Sequence, residues 1–203
     1  MTGEVWLLTG AQGSGKTTVA DLLARTFERG VHVRGGQFYR WVVSGWVPFD
    51  DPGRQAEARR LLDLRYRLSA RVAAEYAAAG FCCVVQDNIY GQDVVDWLAA
   101  VADSTPTVRL VVLRPSVDTV AARDAARRAS TGKTAYRGDF TPAVNDEHVA
   151  ATPPLGLWLD TSTQTPEETV AEVLNRRSEA QVQPTPPPPG PSGAHRAPPW
   201  SGA

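Results

Sequence analysis

The chain of 203 residues has few of the side chains that build disulfide frameworks and metal centres. It contains two cysteines and three histidines. Cys82 and Cys83 are adjacent in an apolar run, where neighbouring strand positions point to opposite faces, so we do not expect them to bond to each other. They are typical of buried thiols in a reducing compartment, with a vicinal redox pair as the alternative. His32, His148 and His195 are too scattered to predict a metal site.

The sequence also lacks a large excess of charge and a long hydrophobic run. Its formal net charge is −1 at pH 7, which gives no general attraction to nucleic acid or to membranes, so we predict neither as a partner. No apolar run reaches the roughly 20 residues that a membrane-spanning helix needs. The N-terminus shows neither the basic region nor the cleavage site of a signal peptide, so we expect a cytoplasmic protein. The length favours a single folded domain.

The sequence does contain one phosphate-binding motif. Residues Gly10–Thr17 fit the pattern G-x-x-x-x-G-K-[ST]. A short apolar run, Val5–Leu8, precedes the motif, and Thr18–Arg29, in which apolar residues have helical spacing, follows it. This strand–loop–helix context favours a functional loop over a glycine-rich turn with a surface lysine.

The residue types of this loop suit a nucleoside triphosphate. The glycines let the backbone turn its N–H groups inward, and the start of the helix adds its positive end. Lys16 can reach the β- and γ-phosphates, and the Thr17 hydroxyl can ligate Mg²⁺. We therefore predict ATP and Mg²⁺ as cofactors. The predicted nucleotide contacts in the loop are Gly10, Ala11, Gln12, Gly13, Ser14, Gly15, Lys16, Thr17 and Thr18.

The rest of the chain alternates apolar runs of strand length with helical patterns, which predicts an α/β protein with a parallel sheet. The other predicted strands are 31–33, 81–85, 108–113 and 155–159, and the predicted helices cover about 37–43, 54–79, 92–101, 116–129, 143–151 and 166–177. In the longest helix, Leu61, Leu64, Leu68, Val72 and Tyr76 form one apolar stripe. Ligands of such folds bind at the carboxyl ends of the strands.

Asp87, directly after the third predicted strand, is the best candidate for a second catalytic element. A carboxylate at this position can hold Mg²⁺ through water, or accept a proton from an acceptor hydroxyl. The alternative is a turn or helix-capping aspartate. Gly36, Gln37, Tyr39 and Arg40 follow the second strand, where they could contact the acceptor.

Two further groups of residues are candidates for the nucleotide side. Arg114, Thr161 and Ser162 end the fourth and fifth strands, where a base and ribose would lie, with capping as the alternative role. Arg123 and Arg127 share a helix face, because they are four residues apart. Followed by Arg128, Lys133 and a polar insertion, 130–142, they predict a lid that neutralises phosphate charge in the transition state. A solvated basic face paired with Asp118 or Asp124 is the alternative.

From Glu179 onward, the composition changes to proline mixed with glycine, serine and alanine. Such a segment cannot build a core, so we predict a folded domain over 1–178 and a disordered tail with polyproline character over 179–203. A proline-rich ligand for a partner protein is the alternative.

Together, these motifs resemble small P-loop kinases, most closely the chloramphenicol phosphotransferase-like group, relatives of the shikimate, gluconate and adenylylsulfate kinases. Besides the phosphate loop, the motifs are Val84-Val85-Gln86-Asp87, Leu113-Arg114-Pro115-Ser116, Arg123-x-x-x-Arg127-Arg128, and Leu159-Asp160-Thr161-Ser162 followed by Pro166-Glu167-Glu168-Thr169. The resemblance covers Val5 to Arg177. It implies a three-layer α/β/α P-loop NTPase fold with a five-stranded parallel sheet and a small lid. The implied activity is ATP-dependent phosphoryl transfer to a hydroxyl of a small molecule, antibiotic-like or a metabolite.

The chain departs from this group at one position. These kinases commonly carry an aspartate just after the second strand, whereas this chain has Gly35-Gly36 and no acid between Glu28 and Asp50. Either Asp87 serves as the base, or the acceptor differs, or the protein binds nucleotide without this transfer. A nucleoside or nucleotide kinase and a non-catalytic nucleotide-binding regulator stay open as alternatives. The N/T-K-x-D motif of guanine switches and the motifs of protein kinases are absent.

Overall fold

The computed structural model describes residues 3–48, 51, 53–102, 107–136 and 139–183. Strand β1 (Val5–Gly10) lies in the centre of a sheet, between β3 (Cys82–Gln86) and β4 (Val108–Leu113). The outer strands are β2 (Gly30–Arg34), beside β3, and β5 (Leu157–Leu159), beside β4. All five strands are parallel, as predicted. The central strands are continuous apolar runs because helices cover both faces of the sheet.

The helices form the two outer layers of an α/β/α fold. They are α1 (Lys16–Arg25), α2 (Gly36–Arg40), α3 (Gln55–Ala78), α4 (Gln92–Ala102), α5 (Val117–Thr131), α6 (Pro142–Ala150), α7 (Pro166–Asn175) and α8 (Arg177–Ala180). Helices α1 and α7 pack on one face of the sheet, where Trp6 and Leu8 point. Helices α3 and α4 pack on the other face, where Val5 and Leu7 point. Among the described residues, none of the helices is both long and apolar enough to cross a membrane.

Most of the apolar stripe predicted for α3 is not the face that packs on the sheet, although Val72 does pack against the core. Leu64 is 41% exposed and Leu68 39% exposed, whereas Ala70, Ala73 and Ala77 are buried. Small side chains allow the helix to lie close to the strands, so alanines form much of the contact face, together with the buried Tyr66. Helix α2 is also shorter than the predicted helix over 37–43, since it ends at Arg40 and not at Val43.

The chain stays folded beyond the predicted domain boundary at Ser178. Helix α8 continues to Ala180, and β6 (Gln181–Val182) pairs with β4 in the antiparallel direction. Ala180 is fully buried, and Val182 is 8% exposed. The sequence did not indicate this short segment, because its apolar residues alternate with Gln181 and Gln183 and prolines follow directly. The prediction for the proline-rich part concerns residues 184–203, which lie outside the described residues.

Candidate active site

The phosphate loop joins β1 to α1 through backbone conformations that favour glycine. Gly13 and Gly15 have φ values of 85° and 94°, in the left-handed region. Gly10, with φ of 137°, has a second constraint: a Cβ atom there would lie 2.0 Å from the carbonyl oxygen of Leu113. The loop therefore curls back at the carboxyl end of β1, and α1 begins directly after it, at Lys16. This arrangement has the form of an anion-binding nest at a helix N-terminus.

Lys16 is the buried cation of this loop, with 5% of its surface exposed. Its Nζ donates hydrogen bonds to the carbonyl oxygens of Gly10 and Ala11, both at 2.7 Å. Burial, reinforced by the positive charges of Arg65 and Arg127, lowers the pKa of Lys16 to about 7. The lysine thus lies in a region of surplus positive potential, which a phosphate group would neutralise.

Thr17 and Gln86 provide the oxygen atoms beside the loop that suit a magnesium ion. The Thr17 hydroxyl donates to Oε1 of Gln86 at 3.1 Å. A hydroxyl and an amide carbonyl are hard oxygen ligands, and Mg²⁺ commonly uses one or two protein oxygens together with substrate phosphates. No group of three or more His, Cys, Asp or Glu side chains among the described residues could hold a metal alone. The residues present therefore fit a magnesium ion that arrives with a nucleotide.

Asp87 is fully buried and does not line the cleft beside the phosphate loop. Its Oδ2 accepts a hydrogen bond from Nε of Arg65 at 2.9 Å, and its Oδ1 accepts one from Nη2 of the same arginine. Oδ1 also accepts from the backbone N–H of Asn88 at 2.7 Å. Gly35 packs so closely that a Cβ atom there would lie 1.9 Å from Oδ2. The carboxylate is thus held inside the protein, behind Arg65.

The lid arginines Arg123 and Arg127 both line the cleft. Arg123 reaches across the nucleotide side, where Nη2 donates to the carbonyl oxygen of Thr161 at 2.8 Å. Arg127 forms an ion pair with Asp124, which was the alternative interpretation of this helix face. Asp124 also accepts a hydrogen bond from the N–H of Ala135 at 2.9 Å. The same carboxylate therefore orients Arg127 and fixes the turn of the insertion.

The insertion and α6 together hold the phosphate loop through Gln12. The Tyr136 hydroxyl donates to the Gln12 carbonyl, and Oδ1 of Asn145 accepts from the Gln12 N–H at 2.7 Å. Tyr136 and Asn145 also contact each other, at 3.2 Å. The backbone N–H and the backbone carbonyl of Gln12 are therefore both satisfied by residues more than a hundred positions away, and no local sequence pattern indicates this contact.

The predicted contacts for the base and ribose occupy structural roles in this geometry. Arg114 forms a two-point ion pair with Asp146 of α6. Ser162 hydrogen-bonds to Asp160 and accepts from the N–H of Ser116 at 2.8 Å. Thr161 is buried, and none of the residues Arg114, Thr161, Ser162 and Arg128 lines the cleft. Their assignment to the nucleotide stays a prediction.

The cleft extends from the phosphate loop to α2, α3 and the start of α4, with a volume of about 1180 Å³. Gly36, Gln37, Tyr39 and Arg40 line it, so the structure brings the predicted acceptor residues together with Lys16. Among the described residues, seven cations and one acid, Asp93, line the cleft. The cations are Lys16, Arg34, Arg40, Arg59, Arg65, Arg123 and Arg127.

Sequence reasoning missed several residues of the acceptor half. Arg59, Arg65 and Tyr66 come from α3, and Tyr90 and His148 come from other parts of the chain. In the sequence, Arg59 and Arg65 are two of several arginines on a long helix, and nothing local separates them from arginines outside the cleft lining, such as Arg60. The only available signal was the position of Tyr90 shortly after a strand end.

Comparison with known proteins gives a family and a fold. A family model described as an AAA domain matches residues 5–140. An APS kinase from Mycobacterium tuberculosis, solved with AMPPNP and APS, is 19% identical with a TM-score of 0.62, covering 87% of this chain and 98% of its own. A shikimate kinase from Acinetobacter baumannii is 12% identical with a TM-score of 0.60, covering 90% and 97%. A gluconokinase from Sinorhizobium meliloti is 17% identical with a TM-score of 0.56, covering 88% and 94%.

These likenesses confirm the α/β P-loop kinase fold. None of the curated proteins compared with the chain matches it.

Proposed function

Because the chain belongs to the family described as an AAA domain, we propose that it is a kinase that transfers the γ-phosphate of ATP to a hydroxyl of a small molecule. The observation that carries this proposal is the position of Lys16, the buried lysine of the phosphate loop, in the lining of the cleft. Among the described residues that line this cleft, cations outnumber acids seven to one. The cleft volume of about 1180 Å³ is large enough for the phosphates of a nucleotide and a second small molecule.

Each group of residues has a proposed role in this reaction. The N–H groups of the loop and Lys16 bind the β- and γ-phosphates and keep them at the mouth of the acceptor half. A magnesium ion, when bound, neutralises charge between the phosphates, and the Thr17 hydroxyl is its proposed protein ligand. Arg123 and Arg127 stabilise the charge that develops on the transferred group. Such transfer consists largely of positioning and electrostatics, which this cleft can supply.

The sequence also predicts direct roles for Asp87, as a base and as a magnesium ligand. These roles stay predictions. Each requires the carboxylate to separate from Arg65, because both of its oxygens accept hydrogen bonds from that guanidinium and neither is exposed. Leaving a buried carboxylate unpaired is costly, so a direct role would need a substrate or ion that replaces Arg65.

The finer assignment to the chloramphenicol phosphotransferase-like group, with an antibiotic-like or metabolite acceptor, belongs to the same proposal. The named neighbours, a shikimate kinase, a gluconokinase and an APS kinase, support an acceptor of small size. A nucleoside or nucleotide acceptor is the alternative within the kinase class, and it is distinguished by including nucleosides among the acceptors that are tested.

The proposal is tested by incubating the protein with ATP, Mg²⁺ and a broad set of hydroxyl compounds, and following ADP release and acceptor phosphorylation. Lys16→Ala serves as the matched inactive protein. Transfer by the wild type that is lost in Lys16→Ala supports the kinase. Tight, magnesium-dependent ATP binding without transfer to any acceptor would overturn it and favour a nucleotide-binding regulator.

A further inference from the structure

Arg65 is the only one of the described cleft arginines that is held by a fully buried carboxylate. Its side chain is 12% exposed, and the side chain of Asp87 is 0% exposed. Two nitrogens of the guanidinium, Nε and Nη2, are used on the two oxygens of Asp87. The small exposed part of Arg65 lies in the lining of the cleft, so Arg65, and not Asp87, is the member of the pair that a ligand can touch.

The surroundings of the pair fix the guanidinium in one orientation. The Arg65 Cζ atom lies 4.7 Å from the centre of the Tyr39 ring, in cation–π geometry. The two-point contact with Asp87 adds a defined plane, because a carboxylate and a guanidinium match as two forks. A cation fixed in this way loses little conformational entropy when it binds a ligand.

Gly35 is the residue that makes room for this arrangement. Its φ and ψ of −57° and −36° are accessible to any residue, so its backbone does not require glycine. Space does: a Cβ atom would lie 1.9 Å from Oδ2 and 2.3 Å from Cγ of Asp87. The carboxylate therefore occupies the place where a side chain at position 35 would begin.

The position of Arg65 connects the acceptor half of the cleft to the phosphates. Its charge is one of the causes that lower the pKa of Lys16, so the two cations act on the same region. Arg34, Arg40 and Arg59 also line the cleft, although Asp93 and Asp63 pair with Arg59. A positive potential of this kind selects a ligand with negative charge.

We propose that Arg65, fixed by Asp87 in the space left by Gly35, binds an anionic group of the acceptor, such as a carboxylate. In this arrangement Asp87 is a positioning residue that acts through Arg65. The inference rests on the proposed function only in treating the bound molecule as the phosphoryl acceptor. The binding of an anionic group by Arg65 does not itself depend on phosphoryl transfer.

The first test is binding of matched charged and neutral probes. With the phosphate loop filled by AMPPNP and Mg²⁺, we expect hydroxy acids such as gluconate and shikimate to raise the melting temperature of the wild type more than their neutral amides do. Arg65→Met and Asp87→Asn should abolish this preference, and Arg60→Met, an exposed arginine of the same helix, should keep it. Retention of the preference in Arg65→Met, or its absence in the wild type, would overturn the inference.

The second test separates positioning by Asp87 from direct chemistry, through a double-mutant cycle. If Asp87 acts only through Arg65, Arg65→Met/Asp87→Asn should lose no more acceptor affinity than Arg65→Met does, about tenfold to a hundredfold by the strength of a charged hydrogen bond. Additive losses would overturn the positioning role. AMPPNP affinity reports on the fold in each variant, and the double variant relieves the unpaired buried carboxylate that Arg65→Met leaves.

The role of Gly35 has its own matched pair. Gly35→Ala should displace the carboxylate and weaken binding of the acid probes to the level of Asp87→Asn. Gly53→Ala, where a Cβ would meet only Asp51 at an ordinary 3.5 Å, should leave it unchanged. Equal binding by the two variants would show that the Asp87 position is not what matters. A wild type that prefers the acids but phosphorylates no acceptor would contradict the proposed kinase and leave this inference standing.

Discussion

The two ends of the parallel sheet both hold buried charge, but they use it differently. At the carboxyl ends of the strands, Lys16, Arg123 and Arg127 line an open cleft. At the amino ends, Glu4 is nearly buried, and its two carboxylate oxygens accept hydrogen bonds from Arg177 at 2.8 Å, with Arg109 at 3.4 Å. The cations of the cleft end line a space that a ligand can enter, whereas the two arginines of the amino end are directed at one nearly buried carboxylate of the protein.

This difference separates function from stability in one molecule. The amino-end cluster joins Glu4, directly before β1, to Arg109 of β4 and Arg177 of α8, so it attaches the C-terminal segment to the sheet. Its arginines, Arg109 and Arg177, pair with the carboxylate of Glu4 and not with a ligand. At the cleft end, burial and the nearby positive charges together lower the pKa of Lys16. This surplus of positive charge destabilises the protein without a ligand and favours the binding of an anion. Substitutions at the two ends should therefore produce opposite patterns of loss.

The largest expected effect is on stability, from Glu4→Ala. Removing the acid leaves Arg109 buried without its partner, at a cost of about 3–5 kcal/mol, and the melting temperature should fall by roughly 6–20 °C. Nucleotide affinity below the melting range should stay near the wild type. An unchanged melting temperature would show that the cluster is not what attaches α8.

The Glu4 cluster also predicts a pH dependence. Burial alone would raise the pKa of Glu4, but the contacts with Trp6, Arg177 and Arg109 together outweigh burial and hold the pKa below its usual range. The stabilisation is therefore present above the unfolded-state pKa, and it is lost as the pH falls through the lower folded-state value. Acid unfolding should accordingly begin at a higher pH in Glu4→Gln than in the wild type.

At the cleft end, Lys16→Ala should remove function and spare the fold. Loss of one charged donor to a transferring phosphate costs about 10²–10³ in kcat, and triphosphate affinity should fall far more than adenosine affinity. Titration calorimetry with ATP and with adenosine measures this contrast. Equal ATP affinity in Lys16→Ala and the wild type would rule out the loop as the phosphate site.

The lid arginines should show a smaller loss that is confined to turnover. Arg123→Ala and Arg127→Ala should lower kcat by roughly tenfold to a hundredfold, with little change in ATP affinity, if their contacts strengthen in the transition state. Arg128→Ala, which is exposed and does not line the cleft, should change kcat by less than about threefold. Normal turnover in the first two variants would show that Arg123 and Arg127 form only a solvated basic helix face.

Truncation sharpens the comparison at the amino end. Ending the chain after Arg177 removes Ala180 and Val182, which are buried against the sheet, and should cost about 2 kcal/mol. By the same reasoning the melting temperature should fall by roughly 4–8 °C. Ending it after Gln183 keeps both residues and is the matched control. Equal melting temperatures for the two proteins would show that β6 does not stabilise the domain.

The smallest expected effect is the uptake of a proton when ATP binds. Since the pKa of Lys16 is lowered to about 7, the lysine is mostly neutral at pH 8 in the protein without nucleotide. The bound phosphates should raise its pKa, so ATP binding should take up as much as one proton. Calorimetry in two buffers of different ionisation enthalpy measures the uptake, and Lys16→Met should abolish it. Identical uptake in that variant would assign the proton elsewhere.

Much of the fold and the phosphate side followed from local patterns. The G-x-x-x-x-G-K-[ST] motif is contiguous, and its chemistry depends on backbone N–H groups and on two side chains that are adjacent in sequence. The strands were predicted from apolar runs that the sheet buries on both faces, and the structure confirms their parallel arrangement. The apolar stripe of α3 was also recognised, but its direction was not, because periodicity does not tell which side faces the sheet.

The acceptor half could not be predicted in the same way. Asp87 was identified from its strand end, yet its partner Arg65 is 22 residues distant, on a helix with many arginines. Likewise, the departure at Gly35 looked like the loss of an acid. In the structure, the Asp87 carboxylate fills the space that a side chain at position 35 would need. This contact joins residues that follow two different strands.

The sequence by itself therefore determined the α/β class and the phosphate loop, because local conformation and backbone chemistry are encoded in contiguous residues. Only the tertiary structure decided which charges are paired and which face a ligand. Arg65 and Arg177 each bind a buried carboxylate, but Arg65 also lines the cleft. Pairing and exposure depend on distances between segments that are far apart in the chain, and only the packing of helices on a shared sheet sets those distances.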